Sequence, residues 1–237
     1  MNFFKTCWEI ISGDLVTALN TFHDLRCLNF DLLNTANIVL LPKKEGAEKI
    51  GDYRPINLIH SITKLLAKIL ALRLAPAMQQ IIFKSQNAFI RGRSIHDNFM
   101  YVWNMARRFD RSKTPMLLLK LDISKTFNSV SWEHILSLLQ HMGFPARWRN
   151  WIAASFSTAS SQVLLNGILG QHIAHGRGLR QGDPLSPLLF ILVINPLQHL
   201  LSLATEAGVL TRVARNRARL RVSLYADNAV IFLQPVK

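Results

Sequence analysis

The chain has 237 residues, 49 % of them hydrophobic and 18 % charged, and its 28 Lys and Arg against 14 Asp and Glu give a formal net charge of +14. This composition supports the packed core of one large domain or two small ones and excludes an intrinsically disordered or collagen-like chain. Lysines and arginines that neutralise phosphates release counterions. A positive excess of this size therefore favours a polyanionic partner, with nucleic acid ahead of a membrane surface.

Neither a membrane span nor a secretory signal is expected. The longest apolar run, residues 187–197, is interrupted by Asn195 and Pro196 and is shorter than the roughly 20 residues that a bilayer span requires. The N-terminus has no basic start leading into an apolar core and carries Glu9 and Asp14 early. We therefore expect an intracellular protein, nuclear or cytoplasmic, that is not secreted and has no membrane partner.

The first elements are predicted from apolar spacing and from breaker residues. Apolar positions at near-helical spacing predict one helix that ends near His23, and a short strand over 37–41 stops at Pro42. Residues 43–55 have the Gly and Pro content of a loop with a basic start. Residues 1–55 are therefore expected to form a helix, a short strand and a flexible, finger-like loop.

The middle of the chain is predicted to contain two helices and a strand. Leucines and isoleucines recurring every three or four residues predict a helix over 61–82, which Pro76 would kink or divide, and a second helix covers 94–108. The apolar run 116–123 has the pattern of a strand buried on both faces, with Asp122 at its end.

The remaining elements are short helices and strands. They are predicted as helices over 131–141, 146–157 and 184–204, and as strands over 161–166, 171–176, 220–225 and 229–233. The last two strands would join across residues 226–228 in a tight hairpin, because Asp227 and Asn228 tolerate the left-handed backbone region.

Two carboxylates stand out because acids are rare in the second half of the chain. If the strands around Asp122 and Asp227 are neighbours in one sheet, the two side chains converge into the outline of a metal site of hard oxygen ligands. The alternative is that each Asp only caps a strand end or turn. Composition and spacing alone favour that alternative.

The sequence motifs around Asp122 and Asp227, by contrast, favour the metal site over the capping role. Three motifs follow one another, namely residues 119–127 (LKLDISKTF), 178–187 (GLRQGDPLSP) and 224–232 (LYADNAVIF). In this order they closely resemble the three palm motifs of reverse transcriptases.

Three upstream motifs extend the resemblance. They are residues 36–44 (ANIVLLPKK), 52–58 (DYRPINL) and 85–94 (SQNAFIRGRS). They resemble finger-region motifs of the non-long-terminal-repeat retrotransposon branch, plant long interspersed elements in particular. The resemblance extends over roughly residues 35 to 235, and six motifs in the same order make a chance match implausible.

The resemblance implies an RNA-directed DNA polymerase with an α+β right-hand fold, in which helical fingers precede an antiparallel palm sheet backed by helices. The implied division is an N-terminal helical segment of unclear role over 1–35, fingers over 36–115 and a palm over 116–237. The implied partners are an RNA template, a DNA primer and deoxynucleoside triphosphates. The implied cofactor is Mg²⁺, with Mn²⁺ as a substitute.

On matching positions, the resemblance makes Asp122 and Asp227 the catalytic metal ligands, assisted by the backbone carbonyl of Ile123. Phe127 matches the aromatic residue that lies under the nucleotide sugar and rejects a ribose 2′-hydroxyl. The alternative for Phe127 is an ordinary core aromatic.

Further motif residues are implied to contact substrates. Arg54 and Lys43 match finger residues near the triphosphate, which a guanidinium grips through paired hydrogen bonds, and Gln181 would help to position the incoming nucleotide. The implied template and primer contacts are Arg91, Gly92, Arg93, Arg180, Gly182 and Tyr225. For the arginines and the lysine the alternative is a solvated loop charge.

Two other features of these motifs are open to a structural explanation. Asp183 is expected to cap the helix that Pro184 opens, which is a structural role. The arginine cluster over 212–221 is expected to contact nucleic acid, although a solvated connector would also carry such arginines.

This chain departs from the family where the palm hairpin carries two adjacent aspartates. Here Asp227 is followed by Asn228, and a neutral amide offers one carbonyl oxygen and no charge. The first palm motif also has Asn128 where the family usually has Asp. Both changes lower the expected affinity for divalent cations, so activity is expected to be impaired.

The chain ends soon after the hairpin, so we expect the thumb that follows in this family, and the endonuclease domain, to be missing or supplied by another chain. Two function classes remain open at this point. The first is a magnesium-dependent enzyme that copies RNA into DNA, and the second is a catalytically inactive nucleic-acid-binding remnant of a retroelement.

Overall fold

The computed structural model describes residues 2–123, 126–213 and 220–235. Within those ranges the helices are α1 (Asn2–Thr6), α2 (Trp8–His23), α3 (Phe30–Leu33), α4 (Ser61–Ile81), α5 (Ile95–Arg111), α6 (Thr126–Ser129), α7 (Trp132–His141), α8 (Ala146–Ser157), α9 (Ser186–Ile194) and α10 (Pro196–Glu206). The strands are β1 (Thr35–Pro42), β2 (Tyr53–Ile59), β3 (Leu117–Asp122), β4 (Ser160–Leu165), β5 (Ile168–Leu169), β6 (Ile173–Ala174), β7 (Val222–Tyr225) and β8 (Asn228–Leu233).

The chain divides into two compact units that interleave along the sequence. One contains residues 1–70 and 128–184, and the other contains residues 71–127 and 185–237. The predicted segments 1–35, 36–115 and 116–237 follow different boundaries, because they were assigned by motif and not by packing. Their assignment as an N-terminal segment, fingers and palm stays a prediction.

The first unit is built on a mixed sheet with β1 at its centre. β1 pairs antiparallel with β2 and parallel with β4, and β4 pairs antiparallel with β5 and with β6. The predicted strand over 171–176 is thus reduced to the two residues of β6. Helices α7 and α8 bury Ile135, Leu139, Trp151 and Ile152 within this unit.

The predicted loop over 43–55 is wrong at its C-terminal end, because β2 begins at Tyr53 and runs to Ile59. Pro55 counted against a strand there. It is tolerated because β2 is an edge strand of the sheet, and its register partner in β1 is Leu40.

Asn34, at the end of α3, links several segments of the first unit and is 2 % exposed. Its Nδ2 donates to the carbonyl oxygen of Ser155 at 2.7 Å and to Oγ1 of Thr158 at 2.8 Å, at the C-terminal end of α8. Its Oδ1 accepts a hydrogen bond from Nη1 of Arg180 at 2.8 Å. One buried amide therefore bonds to groups that lie more than 100 residues away from it in the chain.

The second unit contains a three-stranded antiparallel sheet in the order β3, β8, β7, which confirms the predicted antiparallel sheet. Helix α5 packs Met105 and Phe109 against Phe232 of β8. On the β7 and β8 strands a second buried cluster is covered by Leu197 and Leu201 of α10. The sheet is therefore backed by helices, as predicted.

The prediction that the first of these strands is buried on both faces is wrong. Every residue of β3 is exposed, with Leu117 at 55 % and Leu121 at 37 %. β3 lies at the edge of the sheet and pairs on one side only, with β8. A continuous apolar run does not distinguish an edge strand from a central one.

The helix predicted over 184–204 is two helices. α9 begins at Ser186 and ends at Ile194, and α10 begins at Pro196. Between them, Oδ1 of Asn195 accepts from the amide of Phe83 at 3.0 Å and its Nδ2 donates to the carbonyl of Ile81 at 3.2 Å. These bonds tie the break to the end of α4, which continues through Pro76 without dividing.

By length and composition alone, residues 186–206 are apolar enough to cross a membrane. Six of the nine residues of α9 are buried inside the second unit, which is the behaviour of a core helix. The expected absence of a membrane partner stays a prediction.

We expect Asn34→Leu to lower the free energy of unfolding by about 3 kcal/mol, because it leaves a buried carbonyl and a guanidinium without their partner. Urea unfolding followed by circular dichroism measures this change. Asn150→Leu, the same substitution at an exposed position of α8, is expected to change stability by less than about 0.5 kcal/mol. Equal unfolding midpoints for the two variants would contradict the role of Asn34.

Candidate active site

The antiparallel register of the second unit places the two predicted metal ligands at one end of the sheet. Asp122, the last residue of β3, pairs with Asn228, the first residue of β8. Asp227 directly precedes β8, and its carbonyl oxygen accepts a hydrogen bond from the amide of Ile123 at 3.2 Å. The sheet therefore brings the backbones of Asp122, Ile123, Asp227 and Asn228 together, and the convergence of the two carboxylates stays a prediction.

The charge of this cluster comes from two carboxylates. Asp122 and Asn228 are exposed and Asp227 is half-buried. Nδ2 of Asn228 donates to Oδ1 of Asp227 at 3.2 Å, so the amide occupies one lone pair of the neighbouring carboxylate. In the part of the chain that the structure describes, no group of three or more His, Cys, Asp and Glu side chains is placed to hold a metal ion.

The turn of the hairpin differs from the prediction. The positive φ falls on Ala226, at +52°, and not on Asp227 or Asn228. A left-handed backbone costs a residue with a Cβ about 1–2 kcal/mol, so this turn has to be held by other contacts. Tyr225, on the other side of the turn, is half-buried and pairs with Asn228.

Phe127 lies in the second unit and stacks on another aromatic side chain. Its ring centroid is 4.7 Å from that of Phe190 in α9, with an interplanar angle of 23°. Phe190 is 2 % exposed, whereas Phe127 is half-buried. Phe127 thus packs against the core and keeps part of its surface accessible, and its role beside the nucleotide sugar stays a prediction.

In the first unit, Gly178 explains why the motif 178–187 begins with glycine. Its φ is +87°, and a Cβ at this position would lie 2.8 Å from the carbonyl oxygen of Asn128. Its amide donates to the carbonyl of Val130 at 2.8 Å, and its carbonyl accepts from Nε1 of Trp132 at 2.7 Å. Only glycine fits this close backbone approach.

The following residues of the same motif are accessible. Gln181 and Gly182 are exposed, Gly182 has a φ of +90°, and the carbonyl of Gln181 accepts from Nδ2 of Asn57 at 3.5 Å. The helix that follows these residues begins at Ser186, with Leu185 as its N-cap, and not at Pro184 as predicted, while the capping role of Asp183 stays a prediction. The proline at the start of that helix is Pro187, three residues later than predicted.

Arg180 has structural partners in the first unit. Besides the bond to Oδ1 of Asn34, its Nη2 donates to the backbone carbonyls of Asn34 and Ser160. Burial lowers the pKa of its guanidinium. These contacts account for Arg180 without nucleic acid, so its contact with the template stays a prediction.

Lys43 and Arg54 lie on the exposed side of the β1 and β2 pair. Nζ of Lys43 donates to the carbonyl of Gly51 at 2.8 Å, and Arg54 is exposed with Leu41 as its register partner. Nearby, Lys44 forms an ion pair with Asp52 at 3.0 Å, which lowers the pKa of that carboxyl. Arg54 is therefore accessible to a ligand, as its predicted role requires.

The motif 85–94 belongs to the second unit, where Arg91 and Arg93 behave differently. Arg91 and Gly92 are exposed, and Gly92 has a φ of +79°. The guanidinium of Arg93 instead donates to four carbonyls around the end of α4, which belong to Gln79, Ile82, Phe83 and Gln86. Arg93 is therefore a helix C-terminal cap, a use of arginine that balances the carbonyl end of the helix dipole.

The arginine cluster predicted over 212–221 lies largely outside the described residues, since residues 214–219 are not among them. Arg221 is described and is buried, and it donates to the carbonyl of Thr211. Burial lowers the pKa of its guanidinium.

Gln86 and Asn98, which were not among the predicted site residues, are both buried and bond to the β7–β8 hairpin. A sequence signal for Gln86 exists, since the polar triplet 85–87 interrupts an apolar context within the motif 85–94. No sequence signal indicated that Asn34 would be buried and would bond to several segments of the first unit.

The antiparallel sheet with Asp122 at one strand end and Asp227 in the adjacent hairpin defines the class of this protein as a right-hand polymerase. The family described as reverse transcriptase (RNA-dependent DNA polymerase) matches residues 41–235. The chain therefore belongs to the reverse transcriptase family. The plant subtype stays a prediction.

Similar proteins come from transposable elements. An uncharacterized 149 kDa protein of transposon TX1 from Xenopus laevis is 29 % identical over 234 residues, which are 99 % of this chain and 18 % of that protein. The retrovirus-related Pol polyprotein of the type-2 retrotransposable element R2DM from Drosophila melanogaster is 28 % identical over 231 residues, 97 % of this chain and 21 % of that protein. The chain thus spans about a fifth of the length of these curated relatives.

The fold is similar to that of telomerase. Telomerase from Candida tropicalis, in a structure with a fragment of telomeric RNA, matches with a TM-score of 0.57 at 11 % identity, covering 86 % of this chain and 36 % of that one. At this identity the likeness concerns the fold alone, and it confirms the α+β class.

We expect Gly178→Ala to lower the free energy of unfolding by about 2 kcal/mol or more, because the left-handed backbone and the 2.8 Å approach to Asn128 both oppose a Cβ. Gly176→Ala is the matched control, since a Cβ there would meet nothing within 4 Å. Thermal unfolding of both variants measures the difference. If Gly178→Ala is as stable as Gly176→Ala, the tight approach does not constrain this motif.

Arg93→Gln is expected to lower the free energy of unfolding by about 1–3 kcal/mol, because four carbonyls at the end of α4 lose a charged donor. Arg91→Gln, two residues away and exposed, should leave stability unchanged. Urea titration of the two variants tests this difference. A larger loss in Arg91→Gln would show that the assignment of the two arginines is reversed.

Proposed function

We propose that this domain catalyses RNA-templated DNA synthesis, with Asp122 and Asp227 as the carboxylates at the reaction centre. The observation that carries the proposal is the β3 and β8 register, which sets Asp122 opposite Asn228 and next to Asp227. Membership of the reverse transcriptase family supports the reaction class. The proposed partners are an RNA template, a DNA primer and deoxynucleoside triphosphates.

The donor chemistry at this point of the sheet fits a divalent cation such as Mg²⁺ or Mn²⁺. Asp122 and Asp227 offer carboxylate oxygens and Ile123 a backbone carbonyl, and Mg²⁺ is commonly held by one or two carboxylates together with substrate phosphates. A bound cation would activate the primer hydroxyl and neutralise charge on the triphosphate. The pairing of β3 with β8 fixes the backbone positions of Asp122 and of the two residues that flank these strands, Ile123 and Asp227.

Other exposed residues would bind the substrates. Arg54 and Lys43 would contact the triphosphate, Gln181 and Gly182 the template base and nucleotide, and Arg91 the template backbone. Each is accessible in its own unit, and cationic groups bind phosphates through charge-assisted hydrogen bonds. Thumb and endonuclease functions would come from other parts of a longer protein or from another chain, and the site of action would be the nucleus or cytoplasm.

A second candidate function, a catalytically inactive nucleic-acid-binding domain, is favoured by Asn228. Its amide donates to Asp227 and adds no negative charge, so the cluster has two carboxylates to balance two divalent cations. The formal charge of +14 would still favour binding to RNA or DNA.

Primer extension on an RNA template separates the two candidates. We expect Asn228→Asp to extend the primer at least about tenfold faster than the unmodified chain in Mg²⁺, because the third carboxylate strengthens the cation site. With Mn²⁺ the difference in primer-extension rate between Asn228→Asp and the unmodified chain should be smaller, since Mn²⁺ tolerates a poorer ligand set. Asp122→Ala is the blank.

The control for added charge is Asn104→Asp, an exposed position of α5 in the same unit, which should match the unmodified chain. Synthesis above the Asp122→Ala blank would reject the inactive-domain candidate. If no variant extends the primer while RNA binding falls steeply with salt, the binding function remains and the proposed enzyme activity is contradicted.

A further inference from the structure

The turn that carries Asp227 is held by a buried side chain from a distant part of the second unit. Gln86 lies between α4 and α5 and is 0 % exposed. Its Oε1 accepts from the amide of Ala226 at 3.1 Å and from the amide of Ala88 at 3.0 Å. Its Nε2 donates to the carbonyl of Ala226 at 3.4 Å.

The backbone amide and the backbone carbonyl of Ala226, which belong to the two successive peptide units around its φ and ψ, are thus both bonded to one carboxamide. This matters because Ala226 is the residue with the positive φ of +52°. A residue with a Cβ keeps a left-handed backbone conformation only when the surrounding contacts hold it there. Gln86 supplies that constraint, since it binds the turn on its donor and on its acceptor side.

The backbone on either side of Gln86 adds to the hold. The backbone carbonyl of Ser85 accepts a hydrogen bond from the amide of Leu224 at 2.7 Å, and the amide of Asn87 donates to the carbonyl of Leu224 at 3.1 Å. These bonds form a parallel bridge between Gln86 and Leu224, so the segment extends the sheet by one residue beside β7.

Asn98 of α5 completes the network from the other side. Its Nδ2 donates to Oγ of Ser223 and to the carbonyl of Leu224, both at 2.8 Å. Its Oδ1 accepts from Nδ2 of Asn87 at 2.8 Å. These bonds therefore fix β7 at Ser223 and Leu224, directly before the turn.

From these contacts we infer that Gln86 is a positioning residue for Asp227, whose carboxamide locks the Ala226 turn and so fixes where the Asp227 carboxylate stands relative to Asp122. The inference rests on the proposed function, in which Asp227 binds the catalytic cation. An amide is the side chain that the geometry requires. An ionised Glu has no donor for the Ala226 carbonyl, and Met has neither donor nor acceptor of comparable strength.

The test uses the whole chain and two readouts. Gln86→Met should speed hydrogen exchange of the Ala226 amide by about tenfold or more, because that amide loses its buried acceptor. It should also weaken Mn²⁺ binding about fivefold or more, measured by electron paramagnetic resonance with Asp122→Ala as the blank. Gln80→Met, the same substitution at an exposed position of α4, should change neither.

Ala226→Gly provides a second variant that does not depend on burying a new side chain. Glycine adopts a positive φ without strain, so the effect of Gln86→Met on Mn²⁺ binding should shrink in the A226G background. Equal effects in both backgrounds would overturn the inference. If Gln86→Met alone does not fold but folds with A226G, the coupling between the two residues is demonstrated directly.

The remaining outcomes separate the inference from the function on which it rests. Faster exchange with unchanged Mn²⁺ affinity would mean that Gln86 is only structural, which overturns its positioning role. Exchange of the Ala226 amide within about twofold of the Gln80→Met control overturns the lock itself. Absence of Asp122-dependent Mn²⁺ binding in the unmodified chain would contradict the proposed cation site and the role of Gln86 in positioning Asp227 for that cation. The hydrogen-exchange results would still show whether Gln86 holds the Ala226 turn.

Discussion

The site depends on the antiparallel pairing of β3 with β8. This register sets Asp122 opposite Asn228 and lets the amide of Ile123 bond to the carbonyl of Asp227. A slip of one residue would send the carboxylate of Asp122 to the other face of the sheet, because side chains alternate along a strand. The spacing of the two acids therefore follows from backbone hydrogen bonds and not from any direct contact between them.

Buried amide side chains perform the same task in both units. Asn34 joins the end of α3 to α8 and Arg180 in the first unit, while Gln86 and Asn98 join the hairpin to the segments around α5 in the second. A buried carboxamide can donate and accept at once without carrying a charge, so it satisfies backbone groups at lower desolvation cost than an ion would. Segments that lie far apart in the chain are held in register by these groups.

The replacement of an aspartate by Asn228 affects the cation site more than the fold. Asn228 keeps its place as the first residue of β8 and pairs with both Asp122 and Tyr225. Strand pairing uses the backbone, which an asparagine leaves unchanged, whereas the proposed cation binding would use a carboxylate at this position. A chain can therefore retain the reverse transcriptase fold while its chemistry weakens.

The sequence by itself determined the family, the antiparallel sheet that makes the strands of Asp122 and Asp227 neighbours, and the helices α2, α4, α5, α7 and α8, because motifs and helical periodicity are local patterns. Only the tertiary structure decided that β2 contains Pro55, that β3 is an exposed edge, that Ala226 bears the positive φ, and that Arg93 caps a helix. Each of these depends on a partner distant in sequence. A local pattern records which residues are apolar or charged, but it does not record which groups their side chains and backbones will meet.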